Sequence, residues 1–354
     1  MPISIGLDMS PLCGNPVGGI PSFITQVVEH ILRLDQEDRF FQCYKFSRIK
    51  HKTSLFPVSP NFKRIWYGKR FVFPLRNLDA FHGMAEWLPR SLKIPKIITI
   101  HDMRGIRNEK DMDANCIDQY QALKDNSVAI ATDSHYIKSQ ILERLLDVEP
   151  SRITVIHLAC SRHFRVIETC EKKDQILYVG VITSNKNLLR AVMAFDVIRN
   201  QYKETRFIVC GRVGEEKYFQ EIMRYINGKP GLSERIQWLH AVDNDALVTL
   251  YNESRLCILP SVYEGFGLPV LEAQACGCPM LCSSIGVLSE IGAQGALYCD
   301  PEDIESIAEA IKRLLGCGTL QKELIQKGLK NIERFSWEKT AREYVEIYRR
   351  VSGK

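Results

Sequence analysis

Long apolar runs and a basic leader are both missing from this sequence of 354 residues. No apolar run reaches the roughly 18 residues that mark a membrane-spanning helix. The start, MPISIGLDMS, lacks the positively charged region of a secretory signal. We therefore expect a cytoplasmic protein that is neither exported nor threaded through a bilayer.

A strong excess of charge of one sign is absent as well. The 47 basic and 42 acidic residues give a formal net charge of +5, which is too small to indicate nucleic-acid binding. The one basic cluster, residues 62–76 (FKRIWYGKRFVFPLR), contains no acidic residue and has aromatic residues between its cations. It predicts either a peripheral contact with anionic lipid at the inner face of the membrane or a strand and loop with a solvated face. Both interpretations stay open.

Zinc-binding patterns are also lacking, although the chain has twelve cysteines. Cys276, Cys278 and Cys282 are close in sequence, but the nearest histidine is His240 and no second cysteine pair has zinc-finger spacing. The chain is far longer than domains that are held together by disulfides. The cysteines are therefore expected to be buried, reduced thiols rather than metal ligands.

Short runs rich in isoleucine and valine alternate with longer amphipathic segments along the chain. This alternation is typical of parallel sheets covered by helices on both faces. The polar residues 165–175 interrupt it and indicate a linker. We expect two Rossmann-like α/β domains with a cleft between them, residues 1–167 and 168–335, and a C-terminal helix in 336–354 that completes the first. The predicted strands are 3–8, 41–46, 97–102, 128–134, 153–158, 176–181, 206–211, 235–240, 256–261, 279–284 and 296–300.

Ligands bind at the loops that follow the strands of such sheets. In residues 13–23 (CGNPVGGIPSF), Gly18 and Gly19 allow backbone amides to approach an oxygen-rich group closely. A tight strand-to-helix turn explains the same glycines equally well. No G-x-G-x-x-G pattern follows a predicted strand, and CGRVGEE at 210–216 has the wrong spacing, which disfavours a nicotinamide dehydrogenase.

Two glutamates stand eight positions apart in residues 261–279 (SVYEGFGLPVLEAQACGCP). Gly265 and Gly267 permit backbone conformations that present N–H groups to a ligand. The proline that follows suits the first position of a helix, whose free amides attract phosphate. Glu264 before the helix start and Glu272 within the helix are then placed to bind hydroxyl groups on either side of a diphosphate. The segment therefore predicts a nucleotide-sugar site.

This segment resembles the E-x7-E signature of family 4 retaining glycosyltransferases, which have the GT-B fold. The resemblance is most specific over residues 260–279 and implies two Rossmann-like domains that face each other across a cleft, in a mannosyltransferase-like enzyme. The terminal FSWE and the TIHD motif are individually weak. The likeness also covers GGIPSF (18–23), FHGMAEWLP (81–89), TIHDM (99–103), ATDSHYIKSQIL (131–142), ILYVGVITSNKNL (176–188) and FSWEKTAREYVEIY (335–348).

The resemblance also implies roles for individual residues. Glu272 would hold the ribose hydroxyls, and Glu264 would contact the donor sugar. Lys186 would balance the diphosphate charge, His101 would lie near the transferred sugar, and Gly19 would lie near the phosphates. The backbone amides offered to sugar and phosphate would be those of Gly265, Phe266, Gly267 and Leu268.

The sequence departs from the family pattern at two positions. Many members have an arginine after the glycine of the sixth strand and a second basic residue beside the lysine, whereas this chain has Val181 and Asn185. Arg212 either supplies a second positive charge or is an ordinary surface residue. His101 also has a second interpretation, a strand-end histidine held by its neighbours, and His82 is left out of the catalytic set.

The implied function is transfer of a hexose, possibly mannose from GDP-mannose, to a glycan or lipid-linked acceptor in polysaccharide or glycoconjugate biosynthesis. The donor is a substrate, so neither a cofactor nor a metal ion is expected, and no nucleic-acid partner is expected. Two other functions stay open. A sugar-nucleotide epimerase of the same fold would turn over donor without acceptor, and a non-catalytic nucleotide-sugar-binding protein would bind the donor without releasing nucleotide.

Overall fold

The computed structural model describes residues 2–13, 18–50, 56–68, 71–85, 87–89, 91–104, 123–125, 127–145, 147–240 and 242–353. The chain forms two compact units, Met1–Leu158 with Ser336–Lys354, and Ala159–Phe335. Each unit has a parallel sheet with helices, so the predicted α/β fold with two Rossmann-like domains is confirmed. No helix in the described ranges is long and apolar enough to cross a membrane.

The sheet of the first unit has seven parallel strands. The strands are β1 (Ser4–Asp8), β2 (Arg39–Lys45), β3 (Phe62–Tyr67), β4 (Ala80–Gly83), β5 (Lys96–Ile100), β6 (Val128–Thr132) and β7 (Ile153–Val155). Their order across the sheet is β3-β2-β1-β4-β5-β6-β7. Helices α1 (Gly19–Leu34) and α2 (His135–Arg144) belong to this unit, as does the C-terminal helix, Trp337–Ser352.

The sequence analysis did not include β3 or β4 among the predicted strands, although it left a strand and loop open for residues 62–76. β3 is the edge strand of the sheet, and its charged residues are partly or fully exposed, so its sequence has no continuous apolar run. β4 has only four residues, AFHG, all of them buried. The exposed charged residues of β3 and the short length of β4 explain why neither strand was recognised from the sequence.

His82 in β4 is a buried part of the first core. Its Nδ1 lies 2.8 Å from the Tyr348 hydroxyl and its Nε2 lies 2.8 Å from the Thr99 hydroxyl, while its ring stacks on Tyr344. Burial, with a smaller effect from His101, lowers the pKa of His82 to about 3. The ring therefore stays neutral, and its contacts with Tyr348 and Tyr344 link the C-terminal helix to the sheet, which is a structural role.

The sheet of the second unit has six parallel strands. The strands are β8 (Lys173–Val179), β9 (Arg206–Cys210), β10 (Ile236–Leu239), β11 (Ser254–Leu259), β12 (Met280–Ser283) and β13 (Ala296–Cys299). Their order is β10-β9-β8-β11-β12-β13. The helices are α3 (Leu188–Ile198), α4 (Glu216–Asn227), α5 (Asn244–Glu253), α6 (Leu268–Ala275), α7 (Gly286–Gly292), α8 (Ile304–Gly316) and α9 (Gly318–Ile332).

The strand order reverses between β8 and β11, because the strands that follow β8 in sequence lie on its other side. Ligands of open parallel sheets bind at the carboxyl ends of the strands beside such a reversal. All six strands of this unit were predicted from the sequence, because most of them contain a run of buried apolar residues, although the edge strand β10 has an exposed Gln237. The loops after β8 and β11 are therefore the first place to look for a site.

The division between the units falls after Leu158, ahead of the predicted residue 167. The Ile167 N–H donates to the side-chain oxygen of Asn252 at 2.7 Å, which ties this segment to the second unit. The predicted linker, 165–175, is also shorter than expected, because β8 begins at Lys173.

Cys276, Cys278 and Cys282 are free, buried thiols. Burial raises the pKa of Cys276 and of Cys278 to about 12 and raises that of Cys282 well above its usual range. Because a thiol needs to be ionised to bind a metal or act as a nucleophile, these side chains serve as small apolar residues of the core.

Candidate active site

Lys186 and Glu264 form an ion pair at the carboxyl edge of the second sheet. The Lys186 ammonium donates to the two carboxylate oxygens of Glu264 at 2.6 and 2.5 Å. The two residues come from the loops after β8 and β11, which are neighbours in the sheet. The side chains are 22% and 7% exposed, so the pair is partly shielded from water and stronger than a surface ion pair. The Ser261 hydroxyl also donates to Glu264, at 2.7 Å.

The loop that carries Lys186 is held in place by its neighbours in sequence. Asn187 has a left-handed backbone with φ 58°, a conformation that asparagine tolerates better than most residues. Its side-chain amide donates to the Pro260 carbonyl at 2.9 Å, and the Val262 N–H donates to the Asn185 carbonyl at 2.9 Å. These bonds join the loop after β8 to the loop after β11 and so fix the position of Lys186.

Asn185, where many family members have a basic residue, has a connecting role. Its side-chain amide donates to the Tyr263 carbonyl at 3.2 Å, and its oxygen accepts from the Thr183 hydroxyl at 2.8 Å. Arg212, after β9, is exposed and makes no side-chain hydrogen bond or ion pair with the residues that the structure describes. Its guanidinium is therefore available to an anion at the same edge of the sheet.

Two glycines let the loops after β8 and β9 approach each other closely. A Cβ atom on Gly211 would lie 1.8 Å from the Gly180 carbonyl oxygen, so any side chain there would push the loops apart. This contact lies at the start of the loop that leads to Lys186.

The start of α6 depends on Gly267, which has φ 99°. A Cβ atom there would be strained and would lie 2.6 Å from Leu288 Cδ2. The helix begins at Leu268, so the proline occupies the second helical position rather than the predicted first. Phe266 is buried and packs edge-on against Phe335. Its side chain therefore anchors the turn between Glu264 and the helix, and Gly265 lies in that turn.

Glu272 lies in the second turn of α6, and its carboxyl group is partly buried. The Tyr251 hydroxyl donates to Glu272 Oε2 at 2.9 Å. Burial raises the pKa of Glu272 to about 7, although the hydrogen bond from Tyr251 opposes the shift. The group therefore changes charge near neutral pH, which is unusual for a glutamate and typical of a functional position.

His101 and Gly19 belong to the first unit. His101 is buried after β5, where its ring nitrogens lie 2.7 Å from Asp133 Oδ2 and 3.0 Å from the Met84 carbonyl oxygen. Both partners are acceptors, an arrangement that a doubly protonated ring satisfies. These contacts support the interpretation of a strand-end histidine held by its neighbours, and a place near the transferred sugar stays a prediction.

Gly19 is the first residue of α1, and Gly18 before it has φ 138°. None of the described residues lies within 4 Å of a Cβ atom built on Gly19. The described neighbours would therefore leave room for a side chain at position 19, whereas the positive φ of Gly18 favours glycine. A place near phosphates stays a prediction for Gly19.

Three residues that support the candidate site were not predicted from the sequence. Asn187 adjoins Lys186 and Ser261 lies three positions before Glu264, so their nearness in sequence was the signal that could have found them. Tyr251 comes from α5 and meets Glu272 only through the fold, and nothing local in the sequence marks it.

Comparison with known proteins supports a glycosyltransferase. Residues 161–331 match the family model for glycosyl transferases group 1. The O-antigen chain mannosyltransferase B of Escherichia coli is 27% identical over 307 residues, which cover 81% of this chain and 78% of that protein. The structure of sucrose-phosphate synthase from Thermosynechococcus elongatus matches with a TM-score of 0.76 and 18% identity over 99% of both chains.

A second solved structure, Anabaena HepE in complex with UDP and glucose, matches with a TM-score of 0.73 and 13% identity. That match covers 98% of this chain and 99% of HepE. The fold is that of the GT-B glycosyltransferases. Over residues 161–331 the chain matches the group 1 glycosyltransferases, and it resembles family 4, as the sequence motif predicted.

Proposed function

We propose that the protein is a retaining hexosyltransferase that uses a nucleotide sugar, with mannose from GDP-mannose as the leading candidate. The acceptor is a glycan or a lipid-linked glycan in polysaccharide or glycoconjugate biosynthesis. The observation that carries the proposal is the Lys186–Glu264 pair beside the start of α6. The mannosyltransferase among the relatives supports mannose.

The chemistry of glycosyl transfer explains why these groups belong together. Negative charge develops on the leaving nucleoside diphosphate while the sugar carbon becomes oxocarbenium-like. The N–H groups of Gly267 and Leu268 at the start of α6 and the ammonium of Lys186 stabilise that charge. Arg212, exposed after β9, adds a second cation.

The ion pair implies an exchange of partners when the donor binds. In the ligand-free protein Glu264 neutralises Lys186, so a diphosphate competes for the same ammonium. Glu264 keeps the Ser261 hydroxyl as a second donor, and its other oxygen then accepts from a hydroxyl of the donor sugar. Glu272 binds the ribose hydroxyls. As the family resemblance implies, attack from the same face needs no separate base, because the leaving phosphate oxygen takes the acceptor proton.

Ligand screening followed by product analysis tests this function. Thermal shift with GDP, UDP, ADP and their sugars should identify one base, because a ligand at 100 times its Kd adds about 2.7 kcal/mol of stability. NMR of the product should then show nucleotide release that depends on acceptor, with the anomeric configuration of the donor kept. An isomeric nucleotide sugar formed without acceptor would indicate an epimerase. Stabilisation without turnover on any acceptor would indicate a binding protein.

We expect the activity to be independent of metal ions. The helix start and Lys186 neutralise the diphosphate in the proposed mechanism, so initial rates should be the same with and without EDTA. Rates should be measured with the nucleotide sugar that the screen selects. Loss of activity in EDTA that magnesium or manganese restores would contradict this account of leaving-group stabilisation.

We also propose that residues 62–76 contact an anionic membrane at its inner face. Phe71 and Phe73 are 52% and 67% exposed, and the Phe46 ring, 43% exposed, stacks on Trp66. The Arg76 guanidinium lies 5.8 Å from the Phe73 ring centre. Exposed aromatic rings beside cations suit the lipid headgroup region, where each cation contributes about 1 kcal/mol. Lys69 and Arg70 of this cluster lie outside the described residues.

Neutralising this surface should weaken binding to anionic vesicles. Arg64 should be kept, because its guanidinium donates to the Phe56 carbonyl at 2.7 Å and supports the fold. The variant is therefore Lys63→Ser with Lys69→Ser, Arg70→Ser and Arg76→Ser, and its activity on a short soluble acceptor should change little. A variant with Lys203, Arg206 and Lys217 changed to serine is the control on the second unit. Equal sedimentation of all three proteins with anionic vesicles at low salt would reject the proposal.

A further inference from the structure

A groove of about 840 Å³ lies at the amino-terminal edge of the first sheet. It is lined by the first residues of β5 and β6, by residues 92–95 and 151–152, and by the end of the C-terminal helix. The loops after the strands, where the proposed function places its ligands, belong to the opposite edge of a parallel sheet. The groove is therefore separate from that chemistry, and its volume lies in the range of small-molecule sites.

The groove is strongly positive. Four cations line it, namely Lys93, Lys96, Arg152 and Arg350, against the single carboxylate of Asp125. This carboxylate is already engaged, because the Lys96 ammonium donates to its Oδ2 at 3.3 Å and the Ser127 hydroxyl donates to its Oδ1 at 2.7 Å. One cation is thereby balanced, and the carboxylate of Glu149 also acts on Arg152. The exposed Lys93 and Arg350 have no carboxylate partner among the described residues. Concave surfaces of one charge concentrate ions of opposite charge.

The other three cations differ in how tightly their side chains are held. The Arg152 guanidinium donates to the Val128 carbonyl at 3.1 Å and to the Asp125 carbonyl at 2.5 Å, so it is rigid, but its partners there carry no net charge. Arg350 is exposed and donates to the Thr154 hydroxyl at 3.0 Å. Lys93 is exposed and makes no side-chain contact with the described residues. The fold does not require either exposed cation at this position.

An apolar surface accompanies these charges. Leu92, Ile94, Pro95 and Val351 also line the groove, so one part of it suits an anion and another suits a ring or short carbon chain. An arginine beside a lysine matches a phosphate group, since the guanidinium fork binds two oxygens and the ammonium adds a point charge. A free inorganic ion would leave the apolar part without a partner.

We propose that this groove is a second binding site that takes a small phosphorylated molecule, with its phosphate between Lys93 and Arg350 and its body against the apolar wall. The groove shares no residue with the proposed nucleotide-sugar site, because it lies at the opposite edge of the sheet from the loops that carry His101 and Gly19. Lys96 and Arg152 hold the shape of the groove through their hydrogen bonds.

Calorimetry with glucose 6-phosphate tests the site, with glucose as the uncharged control. The wild type should bind the phosphate ester and not the free sugar, with an affinity that falls as salt is added. Lys93→Ser with Arg350→Ser should weaken binding by at least about tenfold, since two charged contacts are lost. Lys203→Ser with Arg206→Ser, a matched pair of exposed cations on the second unit, should bind like the wild type.

The single change Lys93→Ser keeps the test valid if the double variant is unstable, because Lys93 supports no contact of the fold. It should weaken binding measurably by itself. Lys186→Ala should leave this binding unchanged, so failure here and failure of the nucleotide-sugar site can be told apart. No binding of glucose 6-phosphate by the wild type at low salt, or equal affinities in all variants, would overturn the proposal.

Discussion

Lys186→Ala is expected to lower the turnover number by roughly a hundredfold or more, about 3 kcal/mol, as for other lost donors that stabilise developing charge. The ammonium is held by the rigid loop after β8 and lies within hydrogen-bond distance of Glu264. On donor binding it exchanges Glu264 for the diphosphate, and the rigid loop keeps its position during that exchange. The loss should appear mainly in turnover, because the charge on the phosphate grows as the glycosidic bond breaks.

The same substitution removes the ion partner of Glu264, whose side chain is only 7% exposed. An unpaired carboxylate in that position destabilises the protein, so rates should be measured well below the unfolding temperature of the variant. Asn185→Ala is the matched control, because Asn185 lies on the same loop and contacts the same neighbouring loop without carrying charge. A similar loss of turnover in both variants would mean that loop geometry, and not the charge of Lys186, is what catalysis needs.

Glu264→Gln separates the two roles of the ion pair. The amide keeps an oxygen that accepts from the Ser261 hydroxyl but no longer neutralises Lys186. The released ammonium then meets a diphosphate without competition, so affinity for the free nucleoside diphosphate should be kept or improved. Transfer from the nucleotide sugar should fall, because the contact to the sugar hydroxyl is weakened. The contrast between these two results follows from the pairing of Lys186 and Glu264.

The sequence predicted the second unit better than the first for a physical reason. Its central strands β8, β9, β11 and β12 contain runs of buried apolar residues, and its glycines mark turns that a side chain would block, as at Gly267. The edge strand β3 has exposed charged residues and the short β4 contains His82, so neither has a periodic pattern. Their positions follow from pairing with β1 and β2, which is information that no local window contains.

The contacts between side chains of the candidate site were likewise not predictable from local sequence. The motif located both glutamates and the lysine, but it contained no sign that Lys186 and Glu264, 78 positions apart, bind each other. The bond from Tyr251 to Glu272 likewise depends on how α5 packs beside α6. The charge state of Glu272 follows from that packing, because burial raises its pKa to about 7.

Glu272→Gln is expected to make the protein more stable at pH 8 while it weakens nucleotide binding. The native pKa of about 7 lies above the ordinary value of 4.5, so the native state holds this proton more tightly than the unfolded chain. The resulting stability is complete below pH 4.5 and is lost as the pH rises through 7. Glutamine does not titrate, so at pH 8 the variant should gain about 1 to 3 kcal/mol, the lower values reflecting partial exposure.

The affinity for the nucleoside diphosphate should fall in this variant, although its stability rises. At pH 8 the ionised carboxylate accepts strong hydrogen bonds from the ribose hydroxyls, and its loss should weaken nucleoside diphosphate binding roughly tenfold to a hundredfold. At pH 6 the wild-type carboxyl is mostly protonated, so the difference in affinity between wild type and variant should narrow. The titration of the phosphates themselves affects both proteins equally and cancels in this comparison.

Calorimetry of nucleoside diphosphate binding and chemical denaturation, both at pH 6 and pH 8, measure the two effects on the same samples. Glu204→Gln, an exposed position on the second unit, is the control and should change neither quantity. A variant that gains stability at pH 8 but binds like the wild type would place the ribose elsewhere. A variant that loses stability at pH 8 would show that the carboxylate of Glu272 stabilises the folded protein through its hydrogen bond with Tyr251. The carboxylate would then not be a destabilising group that is kept for ligand binding.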